Sequence, residues 1–141
     1  MRVMVIVKAN NDSEAGVRPS AEQMEQMGAY NEELVRAGVM LAGEGLVSSK
    51  EGARIKFLGD KRTVVDGPFP ETKELVGGFW IWQVKSIDEA IEWAKRCPNP
   101  GPGESQLEIR RVAEFEDFDE MTPELKAQEE SLRAQLDAQQ T

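Results

Sequence analysis

The chain has 141 residues, of which 40% are hydrophobic, and this is enough for one ordinary domain with a real core. Its formal net charge is −9, which disfavours nucleic acid and anionic membrane as partners because both bind clustered Lys and Arg. One cysteine and no histidine exclude an internal disulfide, a Ser/His/Asp or Cys/His catalytic system and a zinc site of the usual Cys/His type. We also find no acidic loop of the EF-hand kind, so we predict neither a metal site nor a cofactor.

The sequence predicts a cytoplasmic protein. No apolar run approaches the roughly 18 residues that are needed to cross a bilayer. The amino-terminal run Met1–Lys8 lacks the small-residue cleavage site of a secretory signal peptide. The single thiol, Cys97, agrees with a reducing compartment and is interpreted as a small apolar side chain near a helix end.

The first part of the chain predicts a helix between two strands. Arg2–Lys8 is a compact run of Val, Ile and Met, which predicts a strand. Ser20 is a typical N-cap residue, and the apolar spacing after it predicts a helix over Ala21–Ala37. Val39–Val47 predicts a second strand, interrupted at Gly43-Glu44-Gly45.

A β-hairpin and a long strand are predicted next. Ala53–Leu58 and Arg62–Val65 have strand-like composition and are joined by a turn at Gly59-Asp60. Val76–Val84 has the clearest strand pattern of the chain. A helix and a last strand follow. Ser86 caps a predicted helix that ends at Cys97-Pro98, Pro100–Gly103 predicts a loop, and Gln106–Val112 alternates like a strand.

This order of elements predicts an α+β fold, with an antiparallel sheet and two helices on one face, the ferredoxin-like arrangement. Phe79 and Ile81 point to one face of the predicted sheet, and Trp80 and Trp82 point to the other, so both faces are expected to be buried. Two helices cover one face only. A homodimer that packs sheet on sheet would cover the second face, and the alternative is a C-terminal segment that folds back over it.

The segment Val65–Glu74 predicts a stiff, charged turn between two apolar runs. Pro68 and Pro70 restrict their own φ angles and the conformations of the residues before them, so the turn has few conformations to lose on folding. A rigid carboxylate, Asp66, near Lys73 indicates a binding or catalytic site.

Several short motifs together resemble the DGPF-type branch of the YCII-related proteins. The motifs are Gly43-Glu44-Gly45-Leu46, Val65-Asp66-Gly67-Pro68-Phe69, Glu71-Thr72-Lys73-Glu74, Gly77-Gly78-Phe79 and Asp88-Glu89-Ala90 followed by Trp93-Ala94. The resemblance covers residues 1–113 and leaves a charged extension, 114–141, unmatched. It implies a ferredoxin-like chain of the dimeric α/β-barrel superfamily, which forms homodimers with one pocket per subunit between the sheet and the helices.

The resemblance leaves the activity open. Some DGPF-type proteins are encoded beside extracytoplasmic-function sigma factors, and others resemble small-molecule enzymes. In YCII-type relatives a His and an Asp are proposed as a catalytic pair, and the resemblance places Asp66 at the position of that Asp. Because the His has no counterpart here, the implied role of Asp66 is a catalytic base that acts alone if burial raises its pKa, and the alternative is a carboxylate that braces its own turn.

Four further residues are predicted to contact a small-molecule ligand: Glu44, Lys73, Glu74 and Tyr30. Glu44 lies in an apolar strand, where a carboxylate needs a solvated cleft or a cation, so it either contacts the ligand or pairs with Lys73. Lys73 and Glu74 either bind the ligand or solvate the loop. Tyr30 is either a proton donor or a packing residue of its helix.

The extension predicts a C-terminal helix that starts at Thr122-Pro123-Glu124 and reaches about Asp137, with Leu125, Leu132 and Leu136 near one face. It is interpreted either as a solvated appendage or as a docking helix for a protein partner. Two functions therefore stay open for the chain. One is a small-molecule enzyme or binding protein, and the other is an accessory interaction module without chemistry.

Overall fold

A computed structural model describes residues 1–99 and 103–140. The chain divides into two compact units, Met1–Arg111 and Val112–Thr141. The predicted loop Pro100–Gly103 lies outside the described residues except for Gly103.

The first unit is built from strands and helices in mixed order. Its strands are β1 (Arg2–Lys8), β2 (Met40–Gly45), β3 (Ala53–Leu58), β4 (Lys61–Asp66), β5 (Val76–Gln83) and β6 (Leu107–Arg111). Its α-helices are α1 (Asn11–Glu14), α2 (Ala21–Arg36) and α3 (Ile87–Lys95), and Ser49–Glu51 and Thr72–Glu74 are single 3₁₀ turns. The predicted strands and helices are confirmed to within about two residues at each end. The helix α1 and both 3₁₀ turns were not predicted.

Four strands form one antiparallel sheet in the order β2-β5-β1-β6. The strands β3 and β4 form a separate antiparallel hairpin. When this hairpin and the short α1 are set aside, the elements follow the order β-α-β-β-α-β of ferredoxin-like units. The predicted α+β class with an antiparallel sheet is confirmed.

One face of the four-stranded sheet, here called the helix face, carries the core. Val3 lies opposite Trp82 and Val5 opposite Trp80, and all four side chains are buried. Residues of both long helices are buried in the same cluster: Tyr30 and Leu34 from α2, and Ala90 from α3. The two helices therefore pack on this one face, as the sequence predicted.

The opposite face of the sheet, here called the open face, is less well covered. Met4 lies opposite Ile81 and Ile6 opposite Phe79, and these four side chains are only partly buried. The expectation that a second copy covers this face remains a prediction.

The hairpin of residues 53–66, here called the hairpin arm, is exposed on both of its faces. On one face Phe57 and Val64 keep 70% and 63% of their surface exposed, and on the other face Leu58 keeps 78%. Gly59 adopts a left-handed φ of 57° at the predicted turn. A hairpin without a third strand is only marginally stable in water, so this arm depends on contacts at its base.

The second unit consists of a 3₁₀ turn, Phe115–Asp117, and the helix α4, Pro123–Gln139. The Thr122 side chain caps α4 by accepting a hydrogen bond from the Leu125 N–H at 3.1 Å. The predicted C-terminal helix is confirmed, with an end at Gln139 instead of Asp137. Of the helices in the described ranges, none has both the length and the apolar character to cross a membrane.

Candidate ligand-binding site

A cavity of about 700 Å³ opens between the sheet and the helices of the first unit, and we call it the sheet–helix cavity. Its floor is apolar and comes from the helix face and from α2: Val7, Trp80, Leu107 and Met27. Its rim is polar and includes Asn10, Asp12, Arg18, Asn99 and Ser105. The cavity therefore combines an apolar floor with a largely polar rim, and its volume is in the range of small-molecule sites.

Two capping boxes fix the rim. The Asn10 N–H donates to Ser13 Oγ at 3.0 Å, and the Ser13 N–H donates to Asn10 Oδ1 at 2.8 Å. At the start of α2 the Gln23 N–H donates to Ser20 Oγ at 3.1 Å, and the Ser20 N–H donates to Gln23 Oε1 at 2.8 Å. Because each pair satisfies backbone donors that a helix start leaves open, both helices begin at defined places beside the cavity.

Trp80 is held rigidly in the cavity floor. Its Nε1–H donates to Asn31 Oδ1 at 2.9 Å, and its ring meets Tyr30 edge to face at 5.9 Å between centroids. A Cβ atom at Gly43 would lie 2.7 Å from Trp80 Cδ1, so a glycine is required there for the indole to fit. A ligand in the cavity would therefore meet a preformed aromatic wall.

The charged side chains of Lys8, Arg18 and Asp12, which lie at the cavity, differ in their partners. Lys8 Nζ lies 3.3 Å from Oε1 of Glu108, a residue opposite Ile6 on the open face of the sheet, and this hydrogen bond and charge hold the pKa of the Glu108 carboxyl below its ordinary value. Arg18 is exposed at the rim and has no ion-pair partner among the residues that the structure describes. The Asp12 carboxylate lies on the same rim. The site can thus bind polar groups at its edge and an apolar body on its floor.

Cys97, the single cysteine of the chain, also lines the cavity. Burial raises the pKa of its thiol to about 11, and Sγ lies 3.6 Å from the Pro98 carbonyl oxygen, which accepts a weak hydrogen bond. A thiol with this pKa is protonated at neutral pH and is a poor nucleophile. Cys97 is therefore part of the wall, in agreement with its interpretation as an apolar side chain.

The residues predicted to form a site lie elsewhere. Asp66 ends β4 opposite Ala53, and Glu44 lies on β2 opposite Phe79; both side chains are exposed. Lys73 and Glu74 are exposed in a 3₁₀ turn. None of these four lines the sheet–helix cavity, and no hydrogen bond or ion pair joins any two of them. Their roles in binding or catalysis remain predictions.

Tyr30 is buried in the core and does not line the cavity. Its hydroxyl donates to the Trp93 carbonyl oxygen at 2.6 Å. Burial, and then the neighbouring Cys97, raise the pKa of the Tyr30 hydroxyl above its ordinary value of 10.0. The hydrogen bond ties α2 to α3, and a role of Tyr30 in ligand binding remains a prediction.

The residues of the rim were not predicted from the sequence. Asn10 and Ser13 have the spacing of a capping box, which was the one local signal for α1. Arg18, Asn99 and Ser105 carry no motif, since they meet only because the chain returns to the same end of the sheet. Nothing in their sequence neighbourhoods could have grouped them.

Comparison with known proteins places the chain in a family. The pattern of the YCII-related domain matches residues 1–116. The chain belongs to the YCII-related family. It is also 32% identical over 90 residues to the uncharacterized protein R00369 of Rhizobium meliloti (strain 1021), an alignment that covers 64% of this chain and 73% of that protein. Neither match supplies an activity.

In this YCII-related chain the turn at residues 66–70 is held by a set of contacts that we call the turn clasp. The Phe69 N–H donates to Ser49 Oγ at 3.1 Å, and the Ser49 N–H and hydroxyl both donate to the Glu14 carboxylate. Ser48 Oγ–H donates to the Glu14 carbonyl oxygen at 2.7 Å. Because of the hydrogen bonds from Ser49, the pKa of the Glu14 carboxyl is lowered. The clasp therefore fixes the base of the hairpin arm.

Gly67 is required by the turn clasp. It is joined to Pro68 by a cis peptide bond, and its N–H donates to the Gly52 carbonyl oxygen at 2.9 Å. A Cβ atom at this position would lie 1.7 Å from the Ser49 carbonyl oxygen, which is far inside van der Waals contact. The glycine of the Asp66-Gly67-Pro68-Phe69 motif thus serves the packing of the turn.

The second unit has a shallow depression of about 480 Å³ lined by Asp117, Phe118, Asp119, Glu120, Met121 and Leu125. Within residues 1–99 and 103–140, no group of three or more His, Cys, Asp or Glu side chains has the arrangement of a metal site. The depression is open and acidic, and it gives no support to the binding of a metal.

Proposed function

We propose that this protein is a member of the DGPF-type branch of its family that acts as a homodimer and binds a small molecule in the sheet–helix cavity. The observation that carries the proposal is the cavity itself, with its rigid Trp80 wall and its polar rim. The proposal gives none of the five residues predicted from the sequence a direct ligand contact, because none of them lines the cavity.

Binding without chemistry is the function that the geometry supports best. Cys97 is protonated at neutral pH, and Lys8 is engaged by Glu108. Asp12 lies on the rim with no hydrogen-bonded base or acid beside it within the described structure. Acid–base catalysis needs a titratable group within hydrogen-bond reach of the proton that it moves. The proposed role of Asp66 as a lone base requires a different site, and an Asp66→Asn variant with unchanged turnover of an identified substrate would remove it.

The dimer is proposed because the open face of the sheet carries Met4, Ile6, Phe79 and Ile81. These side chains are only partly buried in the single chain, and apolar side chains on a sheet face gain free energy when a second sheet covers them. Light scattering would give the mass of two chains, and a monomer at high protein concentration would contradict this part of the proposal.

A screen of small molecules followed by a protection experiment tests the binding site. Ligands that bind the folded state raise the melting temperature, and saturation at about a hundred times the dissociation constant adds roughly 2.7 kcal/mol of stability. Each hit is then tested for its effect on alkylation of Cys97, the only thiol of the chain. A ligand in the sheet–helix cavity shields Cys97, so alkylation of this thiol, carried out at mildly alkaline pH, becomes slower. The same ligand changes the fluorescence of Trp80.

A hit that stabilises the protein without slowing the alkylation of Cys97 would locate binding outside the cavity. A broad screen of carboxylates, amines and neutral aromatic compounds that gives no stabilised sample would contradict small-molecule binding altogether.

A second function, an accessory module that binds a protein such as an extracytoplasmic-function sigma factor, is favoured by α4. The helix has no buried residue, and Leu125, Leu132 and Leu136 keep about half of their surface exposed. Residues 112–141 contain nine acidic and two basic side chains, so they carry most of the net negative charge of the chain. Leu132→Glu would abolish binding of a purified partner under this proposal, whereas Ala134→Glu adds the same charge without removing a leucine and would weaken it less.

A further inference from the structure

The hairpin arm has one face that is self-complementary in both charge and size. Opposite residues of β3 and β4 share a face, and on this face, here called the paired face, they form three rows: Ala53 with Asp66, Ile55 with Val64, and Phe57 with Arg62. A negative charge beside a small residue thus lies at one end, and a positive charge beside a large residue lies at the other. The middle row is aliphatic.

We propose that the paired face is a contact between two copies of this chain, related by a two-fold axis that runs across the strands through the Ile55–Val64 row. Such an axis places each strand over the same strand of the other copy in the opposite direction. Arg62 then meets Asp66 of the other copy, and the reverse pair forms at the far end. Phe57 meets the small Ala53, and the aliphatic rows meet each other.

The two charges are available for this contact. Asp66 is exposed and has no ion-pair partner in the described part of the chain. Arg62 donates to the Gly59 and Lys61 carbonyl oxygens and lies over the Phe57 ring at 4.6 Å, but no carboxylate neutralises it among the described residues. A guanidinium has five N–H donors, so Arg62 can keep these contacts and still bind a carboxylate.

The other face of the hairpin arm is not self-complementary. It carries Arg54 with Val65, Lys56 with Thr63, and Leu58 with Lys61. A two-fold axis through its middle row would bring Lys56 against Lys56 of the second copy, and like charges that face each other are destabilising. Arg54 is moreover already engaged, over the Phe69 ring at 3.8 Å and with Glu71 Oε2 at 3.3 Å. Only the paired face therefore fits a second copy.

The turn clasp makes this contact less costly to form. Gly67 and Gly52 are joined by a backbone hydrogen bond at the base of the arm, and Phe69 is held by Ser49. An arm that is fixed before binding loses little conformational entropy on association. Three rows of side chains bury much less than the roughly 800 Å² per partner of a standard interface, so the contact is weak by itself and depends on ionic strength. The proposal does not depend on ligand binding in the cavity or on the sheet-to-sheet dimer.

A charge-swap experiment tests this pairing by sedimentation over a wide range of protein concentration at low salt. Arg62→Asp and Asp66→Arg each bring like charges together, so each variant alone should lower the association constant by about tenfold or more. The double variant Arg62→Asp/Asp66→Arg exchanges the positive and the negative charge and should restore the association constant. An equimolar mixture of the two single variants should associate more strongly than either variant alone.

The control is Lys56→Asp, which reverses a charge on the opposite face of the same strand pair and should leave the association constant unchanged. Circular dichroism melts confirm that each variant is folded, as expected for exposed sites. The proposal is overturned if the natural chain shows no association step that the single variants weaken, if the double variant does not restore it, or if Lys56→Asp weakens it equally.

Discussion

The helix face of the sheet and the hairpin arm are both antiparallel β-structure with alternating apolar residues, yet they have opposite environments. On the helix face Val3, Val5 and Trp82 have no exposed surface, because α2 and α3 cover them. On the arm Phe57 keeps 70% of its surface exposed. The alternation of apolar side chains is therefore a property of the strands, whereas their burial depends on which element returns to cover them. In this chain the covered face contains the cavity, and the uncovered arm presents a surface that fits a second copy.

The largest expected difference between the two regions is in core packing. Leu34→Ala removes a fully buried side chain of α2 and should lower the free energy of unfolding by about 2–5 kcal/mol. Phe57→Ala in the arm should cost less than about 1 kcal/mol, because it loses little more than an exposed contact with Arg62. Urea unfolding at low protein concentration measures both changes. Equal costs would show that the arm is packed in the single chain.

Two glycine-to-alanine variants compare the packing of the turn clasp with that of the exposed surface of α2. Gly67→Ala places a Cβ atom 1.7 Å from the Ser49 carbonyl oxygen, so the turn must shift, at a cost of about 1–3 kcal/mol. Gly28→Ala meets no atom within 4 Å in the middle of α2 and should stabilise the protein by about 0.5–1 kcal/mol. The melting temperature should fall for Gly67→Ala and rise for Gly28→Ala. A neutral Gly67→Ala would contradict the close approach of the turn to Ser49.

Tyr30 tests whether the two helices are tied together over the covered face. Tyr30→Phe removes the hydrogen bond to the Trp93 carbonyl oxygen and should cost about 1 kcal/mol. Because burial raises the pKa of this hydroxyl above 10.0, the stabilisation is complete below that pH and is lost as the pH rises towards the higher folded-state value. Tyr30 is the only tyrosine, so phenolate absorbance in an alkaline titration reports it alone. If the Tyr30 hydroxyl titrated at its ordinary pKa of 10.0, it would be exposed to solvent, which would contradict its burial between the two helices.

The smallest effect is expected from Glu14 in the turn clasp. Its pKa is lowered by the hydrogen bonds from Ser49, so its contribution is present above the ordinary value of 4.5 and is lost as the pH falls below it. Ser49→Ala should therefore make the melting temperature less sensitive to acid than that of the natural chain. Identical acid profiles would show that Glu14 does not stabilise the clasp.

The sequence predicted those features that depend on local pattern. The strands β1 and β5, the hairpin arm and the capped helix α2 each contain their own signals, such as the N-cap Ser20 and the turn glycine Gly59. The helix α1 has only four residues, which is too short for a periodic pattern to be recognised. The order of the elements predicted the antiparallel sheet with two helices on one face.

The candidate site could be predicted much less well. The turn around Asp66 was predicted as a site from its prolines and charges, which are visible in the sequence. In the structure Gly67 of this turn packs against Ser49, and the role of Asp66 in binding or catalysis remains a prediction. The cavity residues Val7, Arg18, Met27, Cys97 and Ser105 are widely separated in sequence and meet only in the folded chain. Such convergence is a property of tertiary structure, and no local spacing encodes it.

We propose that the ligand binds in the sheet–helix cavity and not at the Asp66 turn. The most direct test is to measure the dissociation constant of one identified ligand for three variants of the chain. Met27→Trp should fill the cavity and abolish binding, whereas Met24→Trp, on the exposed side of the same helix, and Asp66→Asn should bind as the natural chain does. Binding that survives Met27→Trp and is lost in Asp66→Asn would contradict the account.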